Sequence, residues 1–301
     1  MKVLDLFCGI GGFSSGFKEA GFKVEGAELS QFSCDTFNLN KIGLAKQTDL
    51  SKTVIRGDYD LIIGGPPCKP WSNVNRHTRT NEHRDYGLVK AFFKHIRINE
   101  PSMFIFENVP PIGSDPMFRK VVEQARNGYS IAEKIVRYSD YGAATNRKRR
   151  ILVGCLNSDA NEFFEELDRH KKQSTTVRDA IGYLREKTMG AYQDHDWPHL
   201  KTIEKYQKLY NSGQYGWYIL NWNSPSPSFG NVMKTYILHP SARKSANKRV
   251  ISVRETMSIF GFSKEFTFPQ DAGLGKRYQA IVDSVSPVFS YVAANVARSL
   301  V

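Results

Sequence analysis

Four short apolar runs, each closed by a turn rich in glycine, proline or acid, constrain this chain more than any other feature. Residues 3–7, 23–28, 61–64 and 103–107 read as buried strands, and 13–20, 31–39 and 88–99 as amphipathic helices between them. Strands and helices in alternation predict a mostly parallel sheet with helices on both faces. In such a sheet ligands bind where strands run out into loops, so the residues at those ends are the ones to inspect. They are Phe7-Cys8-Gly9-Ile10-Gly11-Gly12-Phe13, then Glu28, Asp49, Pro66-Pro67-Cys68 and Glu107-Asn108-Val109.

Past about Cys155 the alternation stops. As far as about Lys248, prolines and polar residues are mixed with Tyr206, Tyr210, Tyr215, Trp217, Tyr218 and Trp222, and with Lys201, Lys205, Lys208, His195 and His199. Helical periodicity returns from Val250, and 278–301 reads as one amphipathic helix broken near Pro287. The expected division is 1–155 as an α/β domain, 156–248 as a small irregular domain, and 249–301 as a return to the first.

No apolar run approaches the roughly 18 residues of a membrane span, and 1–7 has no basic stretch ahead of an apolar one. Neither membrane nor secretion is expected, and the cytoplasm is the expected location. Four scattered cysteines, Cys8, Cys34, Cys68 and Cys155, without a CxxC pair, argue against a disulfide framework and a structural zinc site. Lys plus Arg number 42 against 30 Asp plus Glu, a net charge of +12. That excess suits a polyanionic partner, because each phosphate neutralised releases counterions.

Some chemistry follows from residue type alone. Gly9, Gly11 and Gly12 let backbone approach a ligand at a helix start. The third glycine of a dinucleotide fingerprint is replaced by Ser14. Glu28 suits a pair of ribose hydroxyls. Gly64-Gly65-Pro66-Pro67-Cys68 makes a stiff turn past a buried strand and presents a thiol rigidly, as a nucleophile needs. Glu107, under partial burial, would have a raised pKa and could donate a proton. Arg147 and Arg149 alternate ahead of a strand at 151–154 and would point the same way.

Taken in order, Asp5-Leu6-Phe7-Cys8-Gly9-Ile10-Gly11-Gly12-Phe13, Gly65-Pro66-Pro67-Cys68, Glu107-Asn108-Val109 and Arg147-Lys148-Arg149 resemble the motif series of the DNA cytosine-C5 methyltransferases of restriction-modification type. Arg254-Glu255 with Phe260-Gly261-Phe262 resembles the next motif, and 278–288 the last. The resemblance implies an α/β, Rossmann-like S-adenosylmethionine-dependent methyltransferase domain with a small, irregular target-recognition domain. It also implies double-stranded DNA as substrate, no metal, and a cognate restriction endonuclease for the same site; a monomer is the default expectation.

Residue roles come with it. Phe7 would stack on the cofactor's adenine, Gly9 and Gly11 would make room for its amino-acid end, Glu28 would bind the ribose and Asp49 the adenine amino group. Leu50, Pro67 and Leu88 would line the same pocket. Cys68 would attack C6 of a flipped-out cytosine, Glu107 would hold N3 and the exocyclic amine, and Arg147 and Arg149 would contact the nucleotide. Asn108 would hold the Cys68 segment, and 69–86, with Ser72 near its start, would correspond to a loop that closes over DNA. A thiolate is required, so Cys68 should have a depressed pKa, with the arginines as the source of positive potential. Residues 174–248 would choose the target sequence.

The chain departs from the pattern at Lys69, where Gln is usual, at Thr145, also usually Gln, and at Val282-Asp283, usually Gly-Asn. Two alternatives share the scaffold: an RNA (tRNA) cytosine-C5 methyltransferase, and a DNA-binding relative without activity. Against the first stands the absence of a Cys-Phe-Thr triplet, and against the second the presence of Cys68. Amino-methylating enzymes carry Asn or Asp before Pro-Pro and an aromatic, where this chain has Gly65-Pro66-Pro67-Cys68.

Overall fold

A computed structural model describes residues 1–71, 83, 85–200, 203–212, 214–243 and 248–301. It divides into two compact units: 1–136, 148–171 and 289–301 form the first, 137–147 and 172–288 the second.

The first unit is built on a seven-stranded sheet in the order β3-β2-β1-β4-β5-β7-β6. Its strands are β1 (Lys2–Leu6), β2 (Lys23–Glu28), β3 (Leu44–Gln47), β4 (Leu61–Gly64), β5 (Met103–Asn108), β6 (Ser130–Arg137) and β7 (Lys148–Cys155). Strands β1 to β5 pair in parallel, and β7 lies antiparallel on β5 with Glu107 opposite Ile151. The central β4 and β5 are buried at every position, the unbroken apolar reading of a parallel strand covered on both faces.

The helices of this unit are α1 (Gly12–Glu19), α2 (Gln31–Leu39), α3 (Leu88–Asn99), α4 (Pro116–Ala125) and α5 (Ala160–Arg169). Leu4 and Leu6 of β1 join Phe92, Phe93, Phe118 and Val121 of α3 and α4 in one core with Phe104, Phe106 and Leu152. Asp5, pointing to the opposite face by strand alternation, bonds Ser14 of α1, so helices cover both sides. Asp115 caps α4 and Pro116 opens it, a pairing that suits a helix start. The final helix of the chain also belongs mostly here: Ser290 donates to the Phe13 carbonyl, and a Cβ on Gly16 would stand 2.1 Å from the Tyr291 nitrogen. Only glycine permits that approach.

The second unit has short helices, α6 (Val177–Ile181), α7 (Gln207–Asn211), α8 (Val232–Thr235), α9 (Val253–Phe260) and α10 (Leu274–Asp283), joined by long connections and isolated bridges. Helix α9 begins with a reciprocal Ser252–Glu255 capping box and ends on Gly261 at φ 87°. Arg254 is fully buried and donates to the carbonyls of Gln193, Ser263 and Phe266, and to Asp194. The aromatics between α6 and α8 pack largely on one another. Tyr206 and Trp217 have ring centroids 4.5 Å apart, and the Tyr210 hydroxyl donates to the Tyr236 carbonyl at 2.8 Å.

The chain closes with α11 (Pro287–Leu300). By length and composition alone 274–300 could cross a membrane, with mean hydropathy 1.3. Lys276, Arg277, Asp283 and Arg298 interrupt it, and no unbroken apolar run of that length is present. The stretch is two helices, α10 and α11, interrupted at 284–286, and it is mostly buried within the protein.

Candidate active site

The turn after β1 is held by its neighbour strand. Phe7 and Cys8 both donate to the Ala27 carbonyl, at 2.9 and 3.2 Å. Phe7 thereby sits at φ 62°, a left-handed conformation that costs a non-glycine residue about 1 kcal/mol or more. Gly9 follows at φ 52°, and a Cβ there would meet nothing within 4 Å, so its backbone borders open space. Gly11, at φ 90°, is required twice over, since a Cβ would also lie 2.4 Å from Ile42 Cδ1.

Glu28 ends β2 facing this turn. Its Oε2 accepts from the Gly9 nitrogen at 3.1 Å and its Oε1 from Ser30 at 2.9 Å. The Glu28 carbonyl accepts from Thr48 at 2.8 Å, which brings the Asp49 segment alongside. Asp49 accepts from the Ser51 hydroxyl at 2.5 Å and lies 3.3 Å from Lys52. The Ser51 hydroxyl, with help from Lys52, holds its carboxyl below the ordinary value. Leu50 is buried in the core behind it. Leu29, beside Glu28, is exposed.

Beneath the turn, Asp5 is 1% exposed and accepts from Ser14 Oγ at 2.6 Å. Burial pushes its carboxyl up from 3.8 to about 8; Ser14 pulls the other way and Glu28 adds to the rise. Between about pH 4 and about pH 8 the folded chain therefore keeps a proton that the unfolded chain has lost, so this group makes stability fall as pH rises through that window. Asp5→Asn, neutral at every pH and still an acceptor for Ser14, is expected to remove that slope. Urea midpoints at about pH 5 and about pH 8 should favour the variant progressively at the higher pH. An equal difference at both would show that Asp5 is ionised throughout.

On the other side of β1, the segment after β4 runs against the end of β5. A Cβ on Gly65 would stand 2.8 Å from Glu107 Oε2, so glycine lets the chain pass the carboxylate. Asn108 Nδ2 donates to the Pro66 carbonyl at 2.9 Å, and Trp71 N donates to the Cys68 carbonyl at 3.0 Å. The Cys68 side chain is half-buried and packs on the core; Pro67 is half-buried as well. Glu107 is 7% exposed, and Arg149 Nε meets its Oε1 at 2.7 Å with both side chains 10% exposed. A pair this dry and this short is worth keeping together, because removing one member strands the other charge. The next residue, Arg150, binds Glu133 at 2.9 Å and the Pro110 carbonyl at 3.2 Å.

Leu88 opens α3 and is half-buried. Arg147 precedes β7 and belongs to the second unit, where its Nη2 donates to the Val282 carbonyl at 2.6 Å and its guanidinium lies over the Phe260 ring at 5.5 Å. Of residues 69–86, positions 72–82 and 84, Ser72 included, lie outside the described residues, as do 201–202, 213 and 244–247 of the region at 174–248. Among the described residues no group of three or more His, Cys, Asp or Glu is placed to hold a metal ion.

A family model described as C-5 cytosine-specific DNA methylase matches residues 1–300. The Type II methyltransferase M.HgiDI of Herpetosiphon aurantiacus is 28% identical over 308 residues, spanning 96% of this chain and 91% of the relative. The Type II methyltransferase M.HindV of Haemophilus influenzae is 32% identical over 292 residues, spanning 89% and 87%. Among solved structures, the Entamoeba histolytica methyltransferase EhMeth superposes with a TM-score of 0.76 at 18% identity, over 99% of this chain and 98% of that one. The S. pombe Dnmt2 methyltransferase does so at 0.73 and 18%, over 100% and 99%. At such identities the likeness speaks for the fold.

Proposed function

The chain belongs to the C-5 cytosine-specific DNA methylases, and from that premise we propose that it methylates C5 of a cytosine flipped out of a short, specific duplex sequence, through a covalent bond between Cys68 and C6. The observation that carries the reading is the wall formed by β4 and β5. A half-buried thiol at Cys68 and a buried acid at Glu107 are presented from adjoining strand ends, fastened by Asn108 and Arg149.

The chemistry asks for that wall. C5 of cytosine is a poor nucleophile until the Cys68 thiolate adds at C6, forming an S–C bond. As it adds, Glu107 holds a proton at N3, and the displaced electrons make C5 enamine-like. S-adenosylmethionine, when bound, supplies the sulfonium methyl that C5 takes up. A water molecule acting as base then takes the C5 proton, and the C5–H electrons form the C5–C6 double bond as the C6–S bond breaks. Cys68 leaves as thiolate and N3 returns its proton to Glu107, which restores the aromatic ring. Arg149, by its pairing with Glu107, keeps that acid in place.

The turn at Phe7, Gly9 and Glu28 suits this cofactor. Gly9 borders open space, Glu28 offers a carboxylate at the end of β2, and Asp49 and Leu50 come alongside. Pro67 and Leu88 would complete the pocket. The target cytosine is not reachable inside a duplex and must be extruded, and the net charge of +12 favours the phosphate backbone. Residues 174–248 would supply the base contacts. Relatives named as Type II methyltransferases lead us to place the chain in a restriction-modification system, opposite an endonuclease of the same specificity.

Labelled S-adenosylmethionine offered to unmethylated plasmid DNA and, in parallel, to total RNA tests the reading, with bisulfite sequencing of the DNA. Label on DNA with protected cytosines in one short motif is expected. Label on RNA alone would replace the proposal with the RNA-directed alternative.

A further inference from the structure

Two aromatic side chains that no motif singled out meet on one carboxylate. Trp71 Nε1 donates to Asp115 Oδ2 at 2.9 Å, and the Tyr86 hydroxyl lies 3.0 Å from both Asp115 oxygens. The two rings stack, with centroids 5.5 Å apart and planes at 30°. Asp115 Oδ1 also accepts from the Phe118 nitrogen at 3.0 Å, so the same group caps α4. Burial and the Asp115 carboxylate push the Tyr86 hydroxyl up to about 12, which keeps it a donor at neutral pH.

From this clasp the connection to the site is short. Trp71 is 6% exposed and is tied by its own backbone nitrogen to the Cys68 carbonyl, 3.0 Å away. Asp115 follows the 3-10 turn Pro110–Ser114, which Arg150 braces through the Pro110 carbonyl while lying against Gly113. The segment carrying Cys68 is thus held at Pro66 by Asn108 and at Cys68 by Trp71, and the second hold is anchored on Asp115.

We propose that Asp115 is a positioning residue for the reaction: through Trp71, and with Tyr86 locking the indole against it, Asp115 sets where the Cys68 thiol stands relative to Glu107. The proposal rests on the reading of Cys68 as nucleophile. A helix cap needs one acceptor for one backbone N–H; this carboxylate serves three donors, two of them on residues 15 positions apart that flank the segment after Cys68. Misplacing a reacting group by about 1 Å can cost on the order of a hundredfold in rate.

Asp115→Asn separates positioning from folding. Asparagine caps helices as well as aspartate, so Oδ1 can go on serving Phe118, but an amide N–H₂ then opposes the Trp71 N–H. Turnover of labelled cofactor on plasmid DNA is expected to fall at least about tenfold, with KM for DNA and cofactor affinity within about twofold. The rate at which iodoacetamide labels Cys68, read by peptide mass spectrometry, should change with it, while the melting temperature holds. Trp71→Phe should reduce turnover in the native chain and add nothing to Asp115→Asn. Should Asp115→Asn fail to fold, Tyr86→Phe, which leaves cap and indole bond in place, is expected to lower turnover about threefold and to alter labelling. Unchanged turnover and labelling, or a loss of turnover that only follows a fall in melting temperature, overturns the proposal. Cys68→Ala in the same assay keeps the two questions apart, since retained turnover there would remove the nucleophile itself, whatever Asp115→Asn does.

Discussion

Cys68→Ala brings methyl transfer to DNA down by about a thousandfold or more, the expected consequence of removing a covalent nucleophile for which no neighbour can substitute. Cofactor affinity and melting temperature should barely move. The side chain is half-buried, so losing its sulfur leaves little cavity, a cost of about 1 kcal/mol or less. The bonds that shape the segment, Asn108 to the Pro66 carbonyl and Trp71 N to the Cys68 carbonyl, do not involve the thiol. Initial rates with labelled cofactor, a cofactor titration and a thermal melt check all three statements on one preparation. Turnover above about a tenth of the native rate would take Cys68 out of the mechanism.

How far such a site can be read from sequence depends on how local its causes are. The strands and helices that sequence periodicity places best, β2, β4, α2 and α3, have the same limits in the structure, because each is an apolar run or stripe bounded by its own caps and turns. Strand β1 ends one residue early, at Leu6, because Phe7 turns into the left-handed region to face β2. Strand β6 was not singled out. It lies at the sheet edge and mixes buried with exposed positions, so it lacks the continuous apolar signal of a central strand. The break near Pro287 follows from proline's missing N–H and falls where α10 gives way to α11.

At the site the same distinction holds. Glycines and prolines around Cys68 announce a rigid turn from local stereochemistry alone, and Gly65 does pass close against Glu107, whose Oε2 would stand 2.8 Å from a Cβ there. The partner of Glu107 was within reach of strand alternation, which set Arg149 apart from Lys148 and Arg150. Arg147 lies one residue before β7, which starts at Lys148, so strand alternation says nothing of its partners, the Val282 carbonyl and the Phe260 ring. The Trp71–Asp115 bond links residues 44 apart and leaves no periodic trace. An Asp-Pro pair at 115–116 signals only that a helix starts there.

The Glu107–Arg149 pair separates chemistry from stability, and its two members are expected to fail differently. Glu107→Gln keeps the shape and an acceptor oxygen but cannot give up a proton, so turnover should fall by about a hundredfold to ten-thousandfold. It also leaves the Arg149 guanidinium on a neutral amide, so stability should fall by about 1–3 kcal/mol, less than on losing Arg149. Arg149→Ala removes the cation 2.7 Å from a carboxylate that is 7% exposed. Losing that partner from a buried charge should cost about 3–5 kcal/mol by urea unfolding, as well as turnover. The double variant Glu107→Gln, Arg149→Ala discriminates, since burying a neutral amide is cheaper than burying a carboxylate without its guanidinium. It is expected to be more stable than Arg149→Ala alone, by about 1–2 kcal/mol, and no more active than Glu107→Gln. Additive losses of stability would mean that the two groups are not energetically coupled, and Arg149 would then act on the substrate without holding the acid.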